Sequence, residues 1–149
     1  MKKLITLFIS ALVVTTFAQE PVHTFAFDDT DNITFVENRS VAIYPASERA
    51  KPFLETNIQK KIKAAGHQSG IMVKTENPDM AIQEILNQIS EKTDEKISRI
   101  WNSVLTKANP TRILMGASKS TTWHLVLSPA PDGDYVLTIS YLIEEIIDG

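Results

Sequence analysis

The sequence contains no cysteine. This absence excludes disulfide bonds, thiolate metal sites and the acylated cysteine of a lipoprotein, so we expect an apolar core alone to stabilise the fold. Long apolar runs are also missing, and none approaches the roughly 20 residues of a membrane-spanning helix. The run from Leu4 to Val14 follows two lysines and precedes a small-residue exit that ends at Ala18. This pattern predicts a secretory signal peptide over residues 1–18 and an exported chain without stable membrane insertion.

Basic side chains are in the minority, with 15 lysines and arginines against 18 aspartates and glutamates. Cleavage after residue 18 removes two lysines and no acid, which leaves 13 basic against 18 acidic side chains and a net charge of −5. An acidic surface argues against nucleic acid and anionic lipid as partners. The mature residues 19–149 have the length of a single domain, which we expect in the periplasm or outside the cell.

The N-terminal half of the mature chain predicts strands followed by a helix. Strand-like runs flank the turn-rich segment Asp28–Asn32, so residues 19–39 are interpreted as a hairpin or an N-terminal arm. The apolar run Ser40–Pro45 predicts a buried strand. Apolar residues at three-to-four spacing then predict an amphipathic helix over 48–65, which ends at Gly66.

A second helix is predicted over residues 79–108. Asn77-Pro78 suits its N-cap and first helical position, and the apolar residues behind it keep helical register, with Trp101 in the buried stripe. The polar stretch 90–96 leaves open whether there is one helix or two, because Thr93-Asp94 could cap a second one.

The C-terminal third changes to the period-two alternation of strands. Strands are predicted at 112–117, 122–128 and 135–143, and a proline- and glycine-containing turn joins the last two as an antiparallel hairpin. The predicted fold class is therefore α+β, an α/β sandwich. It would have a small mixed or antiparallel sheet of four to five strands, two main helices on one face and a C-terminal β-hairpin.

Candidate catalytic and metal-binding groups lack the spacing that their chemistry requires. His23, His67 and His124 are too scattered to indicate a metal site. The segment Asp28–Asn32 offers oxygens to a cation but lacks the glycine and glutamate of a calcium loop; a solvated turn is favoured, and cation binding there stays open. Residues 116–121 fail both the phosphate-loop and the nucleophile-elbow patterns, so a turn between strands is expected. We therefore predict no catalytic residue, no metal and no cofactor.

The order of elements from Ser40 onward resembles a group of envelope domains. The residues that carry the resemblance are the strand Val41–Pro45, the helix around Met80–Gln88, and the strand Thr111–Gly116 before the terminal hairpin. The group includes the N-terminal domain of the Tol-Pal translocation protein, the periplasmic part of the curli secretion lipoprotein, and the outer-membrane activator of penicillin-binding proteins. The resemblance implies a small sheet backed by two helices and a role in protein–protein contacts within the periplasm.

The sequence favours an exported, non-catalytic binding or assembly protein that acts through protein–protein contacts in the cell envelope. The alternative is a secreted inhibitor or immunity-type protein that blocks a site on another protein, and an enzyme that uses Ser118 or His124 is less favoured. The interaction candidates are Trp123, His124 and Val126, because alternation along one strand leaves one of its faces for a partner. The more apolar face, with Trp123, is expected to pack against the helices. The partner and the oligomeric state are not predicted.

Overall fold

The computed structural model describes residues 19–46, 60–104 and 110–146. The predicted signal peptide and most of the first predicted helix, residues 48–59, lie outside these residues. The described residues form eight strands and one helix. Their bounds are β1 (His23–Ala26), β2 (Thr34–Phe35), β3 (Ser40–Pro45), β4 (Lys60–Lys74), α1 (Pro78–Thr93), β5 (Arg99–Val104), β6 (Arg112–Ala117), β7 (Thr121–Pro129) and β8 (Tyr135–Ile146).

The strands form one antiparallel sheet in the order β1-β3-β4-β8-β7-β6-β5, and β2 also pairs with β4. The predicted α+β sandwich with two main helices is therefore wrong, because the described residues are mostly strand with a single short helix. The same correction applies to the two-helix architecture that the resemblance implied. The C-terminal strands are where the alternation predicts them, and β7 and β8 form the predicted hairpin.

Helix α1 starts as predicted and stops earlier. The Asn77 side chain accepts a hydrogen bond from the backbone N–H of Met80, and the helix ends at Thr93 because Asp94 takes a left-handed φ of 58°. The prediction that helix continues through residues 99–104, in one piece or two, is wrong, since these residues pair with β6 along their whole length. Residues 105–108 of the predicted helix lie outside the described residues. Trp101, predicted in the core, is 47% exposed.

Strand β4 replaces the part of the predicted first helix that the structure describes, residues 60–65. Its register with β8 shifts between Ile62 and Ala64 and again between Gln68 and Ile71. Each bulge inserts a residue, so side chains three apart, such as Ile62 and Ala65, return to the same face of the sheet. A bulged strand therefore reproduces the three-residue spacing of an amphipathic helix.

Gly66 lies inside β4 and does not end a helix. A Cβ atom at this position would lie 2.5 Å from Cγ2 of Ile43 and 3.2 Å from the carbonyl oxygen of Tyr44. The glycine is needed because β3 crosses β4 closely at the Pro45–Gly66 pair.

The N-terminal strands do not pair with each other, so the hairpin interpretation of residues 19–39 is wrong. Strand β1 pairs with β3, and β2 pairs with the C-terminal end of β4. The intervening segment Asp28–Asn32 contains a short turn closed by the Thr30–Ile33 bridge. The sheet thus gains two strands from a region in which local sequence indicated only one local hairpin.

The main core lies between α1 and one face of the sheet, called here the helix face. Side chains of α1 pack against β1, β6 and β7. On β7 the helix face carries Trp123, Leu125 and Leu127, all fully buried. The alternating residues His124 and Val126 point to the opposite, helix-free face. In the described part of the chain, no helix is long and apolar enough to cross a membrane.

Candidate functional site

The predicted interaction residues lie on both faces of the sheet. Trp123 is fully buried on the helix face, so it cannot reach a partner in the folded protein. His124 and Val126 lie on the helix-free face and are half-buried. Direct pairing places His124 in a row of side chains that crosses six strands on that face. In strand order from β5 to β3 the row is Trp101, Met115, His124, Ser140, His67 and Tyr44.

The His124 ring is poorly solvated where it stands in this row. Its Nε2 atom is buried and has no hydrogen-bond partner among the described residues. Burial lowers the pKa of His124 below its ordinary value of 6.5, and the charge of Glu144 partly opposes this shift. Further along the row, His67 Nδ1 lies 3.3 Å from Ser140 Oγ. These histidines are held apart by Ser140, so they do not form a metal site.

A polar and aromatic cluster on the helix face joins β1 to the C-terminal strands. The ring centroid of His23 lies 5.2 Å from that of Trp123 and 4.6 Å from that of Tyr141. Glu95 accepts hydrogen bonds from Thr121 Oγ1 at 2.5 Å and Trp123 Nε1 at 3.2 Å. Its second oxygen lies 3.6 Å from His23 Nε2. Glu95 thus links β7 to β1 through one carboxylate.

Electrostatics in this cluster follow from its burial. Desolvation lowers the pKa of His23 below 6.5, and the Glu95 charge partly offsets it. Burial, with a smaller contribution from Glu95, raises the pKa of Tyr141 to about 12. His23 is therefore held neutral at physiological pH, and Tyr141 keeps its proton.

The order of groups in the cluster is unsuited to hydroxyl activation. Ser118 Oγ contacts Thr121 Oγ1, which bonds to Glu95, and His23 follows on the far side of that carboxylate. A nucleophilic triad needs the histidine between the hydroxyl and the carboxylate, so that the imidazole takes the proton. The arrangement hydroxyl, carboxylate, histidine instead connects strands.

The acidic segment Asp28–Asn32 is bound to a polar stripe of α1 formed by Glu84, Gln88 and Lys92. The Gln88 side chain accepts from Asp28 N at 2.7 Å and donates to Asp28 O at 2.9 Å. Lys92 Nζ lies 2.9 Å from the Asp28 carboxylate, and Glu84 accepts from Asn32 Nδ2 at 2.7 Å. The spacing of four residues places these side chains on one side of the helix.

In this segment, Asp28 uses its carbonyl oxygen and one carboxylate oxygen in bonds to Gln88 and Lys92. In the described residues, no group of three or more histidines and acids is arranged to hold a metal ion.

The segment between Gly116 and Thr121 is the predicted turn between β6 and β7, and Ser118 and Thr121 close it by a backbone hydrogen bond. A Cβ on Gly116 would lie 2.9 Å from Leu86, so this glycine allows α1 to approach β6.

Strand β5 is the most exposed regular element of the described chain. It is the terminal strand beside β6, and all six of its residues are exposed. Three of them are large apolar side chains, with Ile100 43%, Trp101 47% and Val104 56% exposed. The Arg99 guanidinium lies 5.7 Å from the centroid of the Trp101 ring, and it forms no ion pair with another described residue. A terminal strand leaves backbone N–H and C=O groups along one side available for pairing.

The opposite end of the sheet is protected, which sets β5 apart. Strand β1, the other terminal strand, packs against α1 and the rings of Trp123 and Tyr141. Beside β5, a cavity of about 220 Å³ separates it from the start of α1. The Asp79–Arg112 ion pair, with a distance of 3.0 Å, lines this cavity.

Sequence reasoning missed β5 because its apolar residues also fit a helical stripe. No period-two alternation marks this strand, because residues 100–104 read Ile, Trp, Asn, Ser and Val.

No protein-family model, no curated protein and no solved structure matches this chain.

Proposed function

We propose that the protein binds another protein through the exposed strand β5. The observation that carries this proposal is a terminal strand with three large apolar side chains, each exposed by more than 40%. Proteins usually protect such an edge with charges, proline or a covering element. Strand β5 carries a charge at its first residue, Arg99, and residues 100–104 contain neither charge nor proline, so this stretch suits a partner that adds a strand to the sheet.

In this proposal the protein is an exported, non-catalytic binding or assembly protein of the cell envelope. The N-terminal sequence pattern supports export, and the order of groups around Glu95 supports a structural use of the polar cluster. A sheet edge recognises a partner through main-chain hydrogen bonds, with side-chain contacts providing specificity. Trp101 is the expected anchor, since exposed tryptophan contributes strongly to protein interfaces.

The test is recovery of crosslinked partners from intact envelopes with a tagged protein. Trp101→Lys should abolish recovery of the partner, because it replaces the anchor by a charge. Met80→Lys is the matched control, since Met80 on α1 is 49% exposed and receives the same charge. Equal recovery by the wild type, Trp101→Lys and Met80→Lys would contradict a β5 contact. Circular dichroism should show that both variants are folded.

A further inference from the structure

The composition of β5 permits pairing between two identical strands. Its residues 100–104 are Ile, Trp, Asn, Ser and Val, with no charge in the sequence. Two copies therefore oppose no like charges along this stretch, and neither backbone lacks an N–H donor. We propose that β5 pairs antiparallel with β5 of a second copy of the chain, about a two-fold axis at Asn102. This inference rests on the proposed function, since it names the partner of β5.

Symmetry restricts the register of such a pair. Two sheets that join edge to edge antiparallel are related by a two-fold axis perpendicular to the sheet, so directly opposed residues must lie on the same face. The axis must therefore lie midway between the two copies of one residue, so that this residue opposes itself. A register in which the axis falls between two neighbouring residues of the strand is excluded. With the axis at Asn102, Ile100 opposes Val104 of the second copy, and Trp101 opposes Ser103.

The register centred on Asn102 opposes the apolar side chains of the helix face to each other. Ile100 and Val104 lie on the same face of β5, because they pair with Gly116 and Arg112 of β6 on the helix face. With the axis at Asn102, Ile100 of each copy opposes Val104 of the other, which gives two apolar pairs. With the axis at Trp101, Trp101 would oppose itself, but both copies of Ile100 would oppose the polar Asn102. This register is possible whether the backbone N–H and C=O groups of Asn102 point toward β6 or toward the open edge. An antiparallel ladder alternates between hydrogen-bonded and non-hydrogen-bonded residue pairs, and Asn102 can form either kind with its own copy.

The size of the contact predicts its strength. A stable interface buries roughly 800 Å² on each partner. One six-residue strand with three partly exposed apolar side chains offers less. We therefore expect a weak dimer that dissociates on dilution.

Cysteine crosslinking tests the axis directly, because the natural chain has no cysteine. Residue 102 meets its own copy at the Cα spacing of an antiparallel pair, about 4.5–5.5 Å, which a disulfide spans. Asn102→Cys should therefore give a disulfide-linked dimer under mild oxidation. Ser103→Cys places its two cysteines about 8 Å apart, from the rise and spacing of strands, and should crosslink at least tenfold less. Asn87→Cys, exposed on α1, reports random collision.

A charge exchange gives a second, independent readout by sedimentation. Asn102→Lys and Asn102→Asp should each be monomeric at concentrations where the wild type dimerises, because residue 102 opposes itself. Their mixture should dimerise again through opposite charges. Asn87→Lys, which changes charge by the same amount, should dimerise like the wild type.

The outcomes separate this inference from the proposed function. A wild-type protein that stays monomeric up to millimolar concentration, or a dimer insensitive to Asn102→Lys, would overturn the inference. If Trp101→Lys then still abolished recovery of an envelope protein, the proposed function would stand without it. Dimerisation with crosslinking at residue 102, restored in the charge mixture, would support the inference.

Discussion

Trp123 and Trp101 lie two strands apart on the same sheet and have opposite surroundings. Trp123 is fully buried on the helix face, and its indole N–H donates to Glu95. Trp101 is 47% exposed on β5 and has the Arg99 guanidinium over its ring. The two ends of the sheet therefore differ. Side chains near β1 are packed and hydrogen-bonded and stabilise the fold, while β5 leaves a large aromatic side chain exposed to solvent.

The largest expected effect separates the two tryptophans by stability. Trp123→Ala should lower the free energy of unfolding by about 3–5 kcal/mol, because it leaves a large cavity in the core. Trp101→Ala should change it by less than about 1 kcal/mol, as expected for a surface site. Urea denaturation of both variants measures the difference. Similar losses for the two would contradict the assignment of Trp101 to the surface.

The next effect concerns Glu95, which connects Trp123 to its neighbours. Glu95→Ala leaves the buried indole N–H of Trp123 without its acceptor, and it should cost about 1–3 kcal/mol. Glu95→Gln keeps an oxygen acceptor and should cost less than half as much. Thermal or urea unfolding measures both variants. Equal costs would mean that the negative charge of Glu95, and not its hydrogen bonds, matters most.

Acid should destabilise the folded chain. Burial lowers the pKa values of His23 and His124 below 6.5, so below that pH the unfolded chain binds protons that the folded chain does not. The free energy of unfolding therefore falls as the pH drops from 7 toward 5, by at most about 1.4 kcal/mol per pH unit for each histidine. Replacing both by glutamine should flatten this slope. A stability that rises on acidification in this range would contradict the burial of both rings.

The smallest effect on stability should come from Trp101→Phe, which isolates the fluorescence of Trp123. The variant should lose the red-shifted, iodide-quenchable part of the wild-type emission, because that part belongs to the exposed Trp101. Its unfolding free energy should stay within about 0.5 kcal/mol of the wild type. Unchanged iodide quenching in Trp101→Phe would show that Trp101 is shielded.

Local patterns predicted the elements whose pairing is also local. The alternation of β6, β7 and β8 and the Asn77-Pro78 start of α1 were readable, since neighbours in sequence stabilise them. Strand β4 was not, because its bulges give helical spacing. The pairing of β1 with β3, and of β2 with the distant end of β4, depends on contacts that no local pattern encodes.

The candidate site was predictable only in part. Alternation along β7 separated Trp123 from His124 and Val126, and the structure has them on opposite faces. The β5 edge was missed because exposure depends on what lies beside a strand, and Ile100, Trp101 and Val104 have the composition of a core. Hydrophobicity identifies side chains that need a partner, but it does not say whether the partner is in the same chain.

The most direct test of the account is a photo-crosslinking amino acid placed at position 101 and, as a control, at the equally exposed position 80, in protein produced in intact cells. Binding through β5 should give one specific crosslinked protein from position 101 and none from position 80. If position 101 gave no crosslink, or the same pattern as position 80, β5 would not be the binding surface.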